Sequence, residues 1–374
     1  MANIYIGLMS GTSIDSIDAA ALSFDSQQFS LIGCHSHSIP GDLKRAIYSL
    51  CQPGDDSVEL LAETDSRLGA LFAEAALALM TQQNISPDQI IAIGSHGQTV
   101  RHSAPEAGKI AFTQQIGDAN LIAARTGCAV VADFRRKDMA LGGQGAPLVP
   151  AFHRQLFTHS QHNRVILNIG GIANITVLPA GSPEQLSGCI GFDTGPGNLL
   201  LDGWCHRHLN QNYDDNGAWG ATGSVNDELL ALLKSHQFFA AKAPKSTGRE
   251  TFNLAWLDNQ LNRLPMIVPQ DVQATLVRLT AETIATEIIN LSLKVKQVFV
   301  CGGGAFNGAL MTELAEVLPT TIETTSALGL DPNWVEACAF AWLAKQRIEL
   351  KTGNLPAVTG AKKAAILGGI YLPN

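Results

Sequence analysis

Residues 3–24 read NIYIGLMSGTSIDSIDAAALSF: an apolar run, a turn built on Gly11, Thr12 and Ser13, and a second apolar run. Small residues at a tight turn suit any β-hairpin, because glycine tolerates unusual backbone angles and hydroxyls hydrogen-bond the chain locally. They equally suit a phosphate-binding hairpin, where backbone N–H groups and hydroxyls must reach phosphate oxygens with no bulky side chain between. Residues 163–180, NRVILNIGGIANITVLPA, echo the pattern: apolar strand, glycine-rich turn with small polar residues, apolar strand. Two such hairpins, one opening each half of the chain, suggest a duplicated α/β architecture with a ligand held between the halves.

Further apolar runs typical of buried strands are IIAIGSHG, CAVVADF and KQVFVCGG. Between the strands, residues 60–80 place Leu61, Leu68, Phe72, Ala75 and Leu79 on one helical stripe. A second stripe holds Val272, Leu276, Leu279, Thr283 and Ile288, and a third helix is expected to open at Asp331 with Pro332 in its first position. Alternating strands and helices predict an α/β fold. The 374 residues suffice for two domains with large cores. The expected division is 1–140, rejoined by 350–374, and 141–349.

A formal net charge of −8 argues against a nucleic-acid or anionic-membrane partner. No run is long enough to span a membrane, and the first residues lack a basic stretch followed by an apolar one, so a cytoplasmic protein is expected. Seven cysteines form no C-x-x-C pair, and Cys128, Cys189, Cys301 and Cys338 sit in apolar surroundings, as small core residues in a reducing compartment would. The G-x-x-x-x-G-K-[ST] phosphate loop and the G-x-S-x-G nucleophile elbow are absent. GGGAFNG misses the dinucleotide fingerprint because Asn307 holds the third glycine's place, which disfavours an oxidoreductase.

What remains is a set of glycine-dense stretches after apolar runs: SGTS (10–13), IGSHGQT (93–99), NIGGIAN (168–174), GFDTGPGN (191–198) and VCGGGAFN (300–307). In this order they resemble the actin, sugar kinase and heat-shock chaperone superfamily. That resemblance implies two ribonuclease-H-like domains clasping ATP in the cleft between them. Gly11, Thr12 and Ser13, with Asp15 and Asp18, would form the first phosphate hairpin. Gly170, Gly171 and Asn174 would form the second, and Gly302, Gly303, Gly304 and Asn307 the adenosine turn. Met9 and Asn168 stand where many relatives carry an Asp near Mg²⁺, so metal ligands do not carry over. Asp15, Asp18 and Asp193 are all candidates to meet Mg²⁺ through water, and the sequence does not choose among them.

A narrower resemblance runs nearly end to end. GLMSGTSIDSID, IGSHGQTVRH, VVADFRRKDMALGGQGAPLVP, LNIGGIANIT, GFDTGPGN, PKSTGRE, FNLAWL and VCGGGAFN together resemble the anhydro-N-acetylmuramic acid kinase family. The family implies that ATP and one water convert 1,6-anhydro-N-acetylmuramic acid to its 6-phosphate in cell-wall recycling. An anhydro sugar has no free 6-hydroxyl, so a base must activate water towards C1 while O6 takes the phosphoryl group. The resemblance places that base at Asp193, whose apolar approach (Ile190, Phe192) suits a raised pKa; a cap of a turn or of the helix that GPGNLLLDGW would open is the alternative. Glu336 resembles a second carboxylate sharing the water; a solvated helix glutamate is the alternative. For the sugar, the matching motifs offer Gln98, Thr99, Arg135, Arg136 and Gln144. One of the two arginines would meet the lactyl carboxylate, the other pairing with an acid such as Asp138. His96 is either a ligand donor or a structural histidine. Lys245 and Arg249 are either phosphate ligands or loop residues. A kinase of another free amino sugar and a nucleotide-switched actin-like binding protein are the rival readings, and a homodimer is the default assembly.

Overall fold

A computed structural model describes residues 3–11, 13–24, 29–52, 54, 57–105, 108–183, 188–243 and 245–373, so Thr12 of the first turn lies outside the described residues. The chain divides into two units, Met1–Phe152 with Trp334–Asn374, and His153–Asn333. The first unit begins with β1 (Ile4–Ser10), β2 (Ser16–Phe24), β3 (Phe29–Ser38), β4 (Ile90–Ser95), β5 (Gln98–Ser103), β6 (Phe112–Ile116) and β7 (Val130–Ala132). The second holds β8 (Arg164–Ile169), β9 (Ile172–Leu178), β10 (Ile190–Pro196), β11 (Gln297–Cys301) and β12 (Thr321–Thr324); β13 (Gly369–Tyr371) belongs again to the first.

The first unit's sheet runs β13-β7-β4-β1-β2-β3. Its β1–β2 and β2–β3 pairs are antiparallel, whereas β1–β4 and β4–β7 are parallel. The second unit's sheet runs β10-β9-β8-β11-β12. There β8–β9 and β9–β10 are antiparallel, and β8–β11 and β11–β12 parallel. Each is an antiparallel meander continued by parallel strands, the ribonuclease-H-like order, so the fold is α/β; β3-β2-β1-β4-β7 matches β10-β9-β8-β11-β12, and β13 adds an antiparallel edge to the first sheet alone. The match equates Met9 with Asn168, each one residue before its strand's end, and their cross-strand partners Asp18 and Asn174.

β1 and β8 are central because both of their faces are covered: Tyr5 and Ile6 on successive positions of β1, and Val165, Ile166 and Leu167 of β8, are all buried. The helix Val58–Gln83 starts at Ser57, whose side chain accepts from the Leu60 N–H, and buries Leu68, Phe72, Ala75 and Leu79; Leu61 is only partly covered. In the second unit the helix Pro269–Ile289 buries all of its predicted stripe.

The helix Val335–Ile348 lies directly on β1 and β4. Gly7 and Gly94 are neighbours in that parallel pair. A Cβ on Gly7 would stand 1.8 Å from the Ala337 carbonyl oxygen, and one on Gly94 2.0 Å from that of Phe340. Only glycine permits so close a backbone approach. This helix opens at Val335 rather than at Asp331. Upstream, the Asp331 carboxylate accepts from the Asn333 N–H at 2.9 Å and the Pro332 carbonyl accepts from the Gly302 N–H at 3.1 Å, which fixes a turn there.

The division differs from the sequence expectation in residues 141–152 and 334–349, which fall in the first unit. The fully buried Asp138 draws the first of these segments in. Its Oδ2 accepts from the Gly145 N–H at 2.8 Å, and its Oδ1 from Asn354 Nδ2 at 2.6 Å and Thr359 Oγ1 at 2.7 Å. Phe152 packs edge-on against Trp342, ring centroids 6.2 Å apart. Among the described residues no helix is long and apolar enough to cross a membrane.

Candidate functional site

In the first unit the turn after β1 is open on one side: a Cβ on Gly11 would meet nothing within 4 Å. Its far side is fixed. Ile14 is buried at φ 58°, a left-handed conformation that β-branched residues avoid. Ser13 is exposed, and its carbonyl accepts from the Tyr48 hydroxyl at 3.1 Å. Asp15 is exposed and paired with Lys44. Asp18 is held through one oxygen: its Oδ1 accepts from Ser36 Oγ at 2.9 Å and Ser16 Oγ at 3.2 Å. Burial raises the Asp18 pKa, and the two hydroxyls only partly offset it.

At the end of β1 the Ser10 hydroxyl donates to Gln98 Oε1 at 2.6 Å in a buried bond. Thr99 Oγ1 accepts from Gln115 Nε2 at 3.0 Å. Gln98 and Thr99 therefore root the β5–β6 ribbon beside the first hairpin.

The two arginines are now distinguished. Arg136 is exposed and pairs with Asp133 at 3.0 Å. Arg135 turns inward, its Nε donating to His96 Nε2 at 3.0 Å and its Nη1 to the Gly145 carbonyl at 2.9 Å. Neither arginine takes Asp138, because that carboxylate is occupied by the Gly145, Asn354 and Thr359 donors. Burial brings the Arg135 pKa down to about 10, with Glu336 and Asp138 pulling the other way. Burial and the adjacent guanidinium hold His96 well below its ordinary value, so it is a neutral acceptor. Burial raises Glu336, the Arg135 charge lowers it, and the Asp18 charge raises it again. Arg135, Glu336 and Asp18 thus form one electrostatic group within the first unit. Gln144 is exposed, its N–H donating to the Thr359 carbonyl at 2.7 Å.

In the second unit the NIGGIAN turn docks on the start of the helix Asn198–Leu209. The Gly170 carbonyl accepts from the Asn198 N–H at 2.8 Å and the Gly171 carbonyl from the Gly197 N–H at 2.9 Å. The VCGGGAFN turn lies against the end of β8. A Cβ on Gly302 would stand 2.5 Å from Asn168 Oδ1, and one on Gly304 2.3 Å from Ile169 Cγ2. Asn198 Nδ2 donates to the Ile169 carbonyl at 3.2 Å and lies 3.3 Å from where a Gly303 Cβ would sit. Gly170, Gly171, Gly302, Gly303 and Gly304 are thereby gathered around Asn198. Asn198 escaped the sequence reading, although a small polar residue just after glycine at a helix start is its signal. Asn307 caps the helix Gly308–Val317 by accepting from the Leu310 N–H at 3.0 Å.

Asp193 lies on β10, opposite Asn174 of β9, which in turn faces Asn168 of β8. It caps no helix. Its Oδ2 accepts from Ser246 Oγ and the Thr247 N–H, both at 2.9 Å. Burial raises its pKa; the Thr247 and Ser246 donors lower it, and the Glu250 charge adds to the rise. Lys245 is not a loop cation: its side chain is 5% exposed and its Nζ donates to Glu287 Oε1 at 2.7 Å.

Among the described residues no three His, Cys, Asp or Glu side chains gather closely enough to hold an ion alone. Mg²⁺ asks for less, one or two carboxylates together with phosphate and water. Asp18, half-buried with a hard oxygen donor, meets that requirement, whereas the thioether of Met9 opposite it does not.

The profile of a family described as anhydro-N-acetylmuramic acid kinase matches residues 3–373. The chain is 54% identical over 368 residues to the anhydro-N-acetylmuramic acid kinase of Shewanella oneidensis, covering 98% of each protein. It is 53% identical over 368 residues to the protein of the same name from Coxiella burnetii, covering 98% of this chain and 97% of that one.

Proposed function

The chain belongs to the anhydro-N-acetylmuramic acid kinase family, and from that membership we propose that it opens 1,6-anhydro-N-acetylmuramic acid with one water and phosphorylates O6 from ATP, giving N-acetylmuramic acid 6-phosphate and ADP in the recycling of cell-wall fragments. The observation that carries this reading is Asp193, a half-buried carboxylate with raised pKa, anchored through one oxygen.

In this reading Asp193 takes a proton from water as the water oxygen bonds to C1. The C1–O6 bond breaks, its electron pair stays on O6, and O6 bonds the γ-phosphorus as ADP leaves. The proton later passes from Asp193 to solvent. Glu336 is the second carboxylate for that water, kept responsive by Arg135. Arg135 retains an N–H on each terminal nitrogen for the lactyl carboxylate, since one Nη1 donor goes to Gly145 and the Nη2 contact to His96 is at 2.9 Å. Gln98, Thr99 and Gln144 are assigned to the sugar, with the exposed Arg136 outside it. The open Gly11 turn with Ser13, and the Asn198-centred glycine cluster, are assigned to ATP. Asp18 would hold Mg²⁺ together with phosphate and water, and the ion would there supply neutralisation of phosphate charge. The same reading has the protein working in the cytoplasm as a homodimer.

The test is turnover with the anhydro sugar in ¹⁸O-labelled water for wild type and Asp193→Asn. Label at C1 and phosphate on O6, both lost in the variant while ATP still binds, is the expected result. Turnover only with sugars bearing a free hydroxyl, without label at C1, would make this an ordinary sugar kinase.

A further inference from the structure

The geometry points to the segment Lys245–Thr247 as the device that sets the aim and the basicity of Asp193, with Ser246 and the Lys245–Glu287 ion pair as its positioning residues. This rests on the reading of Asp193 as the base.

β10 abandons regular pairing where Asp193 stands. Its register on β9 shifts between Asp193 and Gly195, a bulge that frees the strand to re-aim a side chain. β10 is also the edge of its sheet, and beyond it lies the 245–247 segment rather than another strand. The Asp193 N–H donates to the Lys245 carbonyl at 3.0 Å, while Ser246 Oγ and the Thr247 N–H both donate to Oδ2. Among the described residues no hydrogen bond reaches Oδ1. One oxygen is thus fixed by two donors, and the other is left to take a proton.

Ser246 is exposed, yet Lys245 beside it is fastened. Its Nζ donates to Glu287 Oε1 at 2.7 Å and to the Phe238 carbonyl at 3.1 Å, and stands 4.6 Å from the Phe238 ring centre. Glu287 lies on the long helix Pro269–Ile289. A buried ion pair seldom adds net stability over apolar packing, but it enforces one geometry. Here that geometry holds the main chain presenting both donors to Asp193. The charged groups on this segment are Lys245, whose ammonium is taken by Glu287, and Arg249 and Glu250, both exposed; Asn174 facing Asp193 across β9 is uncharged.

The experiment is the pH profile of kcat/KM for Ser246→Ala and Ser246→Thr, with ATP KM measured alongside. Both donors stabilise the ionised carboxylate, so losing the hydroxyl raises the base's pKa. The acid limb of Ser246→Ala is expected to move up by about one pH unit, a loss of about tenfold below the limb. Activity on the high-pH plateau and ATP KM stay near wild type, and Ser246→Thr restores the limb. The double variant Lys245→Met/Glu287→Leu replaces the ion pair with apolar groups, keeping the fold while lowering kcat by about tenfold or more at unchanged ATP KM. An acid limb of Ser246→Ala at the wild-type position, or a double variant with wild-type kcat, overturns the inference. Asp193→Asn separates the two levels: full activity there sinks the reading of the base itself, whereas an inactive Asp193→Asn beside an unmoved Ser246→Ala limb sinks only the positioning role.

Discussion

Ile14 holds a backbone angle, φ 58°, that costs a β-branched residue about 1–2 kcal/mol. Its side chain is 2% exposed in the first unit's core, and removing a buried isoleucine costs about 2–5 kcal/mol, so burial wins. Ile14→Gly is therefore expected to lower stability by about 1–3 kcal/mol in urea titration despite relieving the strain; a gain would show that the turn is more strained than the core can offset. Asp202 gives a pH prediction. Burial, and then the charge of Asp214, push its pKa from 3.8 to about 7. Between those values the folded chain binds a proton that the unfolded chain has released, so stability falls as pH rises towards about 7 and levels off above it. The melting temperature of Asp202→Asn, measured from pH 4 to 8, should lose that part of the decline; an unchanged slope would exclude Asp202 as its source. Asp193 stood out in the sequence as a candidate because its motif is distinctive, and the raised pKa expected of its apolar approach is found. The choice between Arg135 and Arg136 was not legible, since adjacent residues differ only in which face of a short helix each takes, and that depends on tertiary burial.

The glycines of β1 and β4 show how one element depends on another. A methyl at Gly94 would need to occupy space 2.0 Å from the Phe340 carbonyl oxygen, so strand and helix must separate. Gly94→Ala is expected to cost about 3 kcal/mol or more in chemical denaturation. Because Glu336 rides on the displaced helix, activity should also fall in the fraction that remains folded; wild-type stability would mean the helix slides freely. The seven apolar strands read from sequence all exist as strands, because continuous burial leaves an unmistakable pattern. β3 and β10 escaped for opposite reasons. FSLIGCHSHS is a half-exposed edge strand with little apolar contrast, and IGFDTGP carries two glycines and a proline in a bulged edge. The start of the helix Val335–Ile348 was misread because Pro332 suits a first turn of helix as well as it suits the turn it makes here.

Across the whole molecule the two units differ in continuity. His153–Asn333 is one stretch with its own sheet and its own core, which includes Leu167, Val177, Leu276 and Val298. Expressed alone it is expected to unfold cooperatively in denaturant; a gradual, non-cooperative loss of signal would show that it needs the remainder. The first unit is assembled from both ends of the chain, and Asp138 joins them through Asn354 and Thr359. The duplicated hairpins revealed the repeat in the sequence, but the return of 334–349 to the first unit was hidden, because nothing local in that helix says which sheet it covers. That return has a temporal consequence. On the ribosome, β1 is made well before the helix that covers Gly7 and Gly94, which follows only after the whole second unit. At about 5–20 residues per second the stretch between β1 and that helix takes roughly 16–65 s to make. For that time the nascent chain carries an uncovered apolar sheet face, so translation speed and chaperone access bear on the yield of native protein before any catalytic residue does.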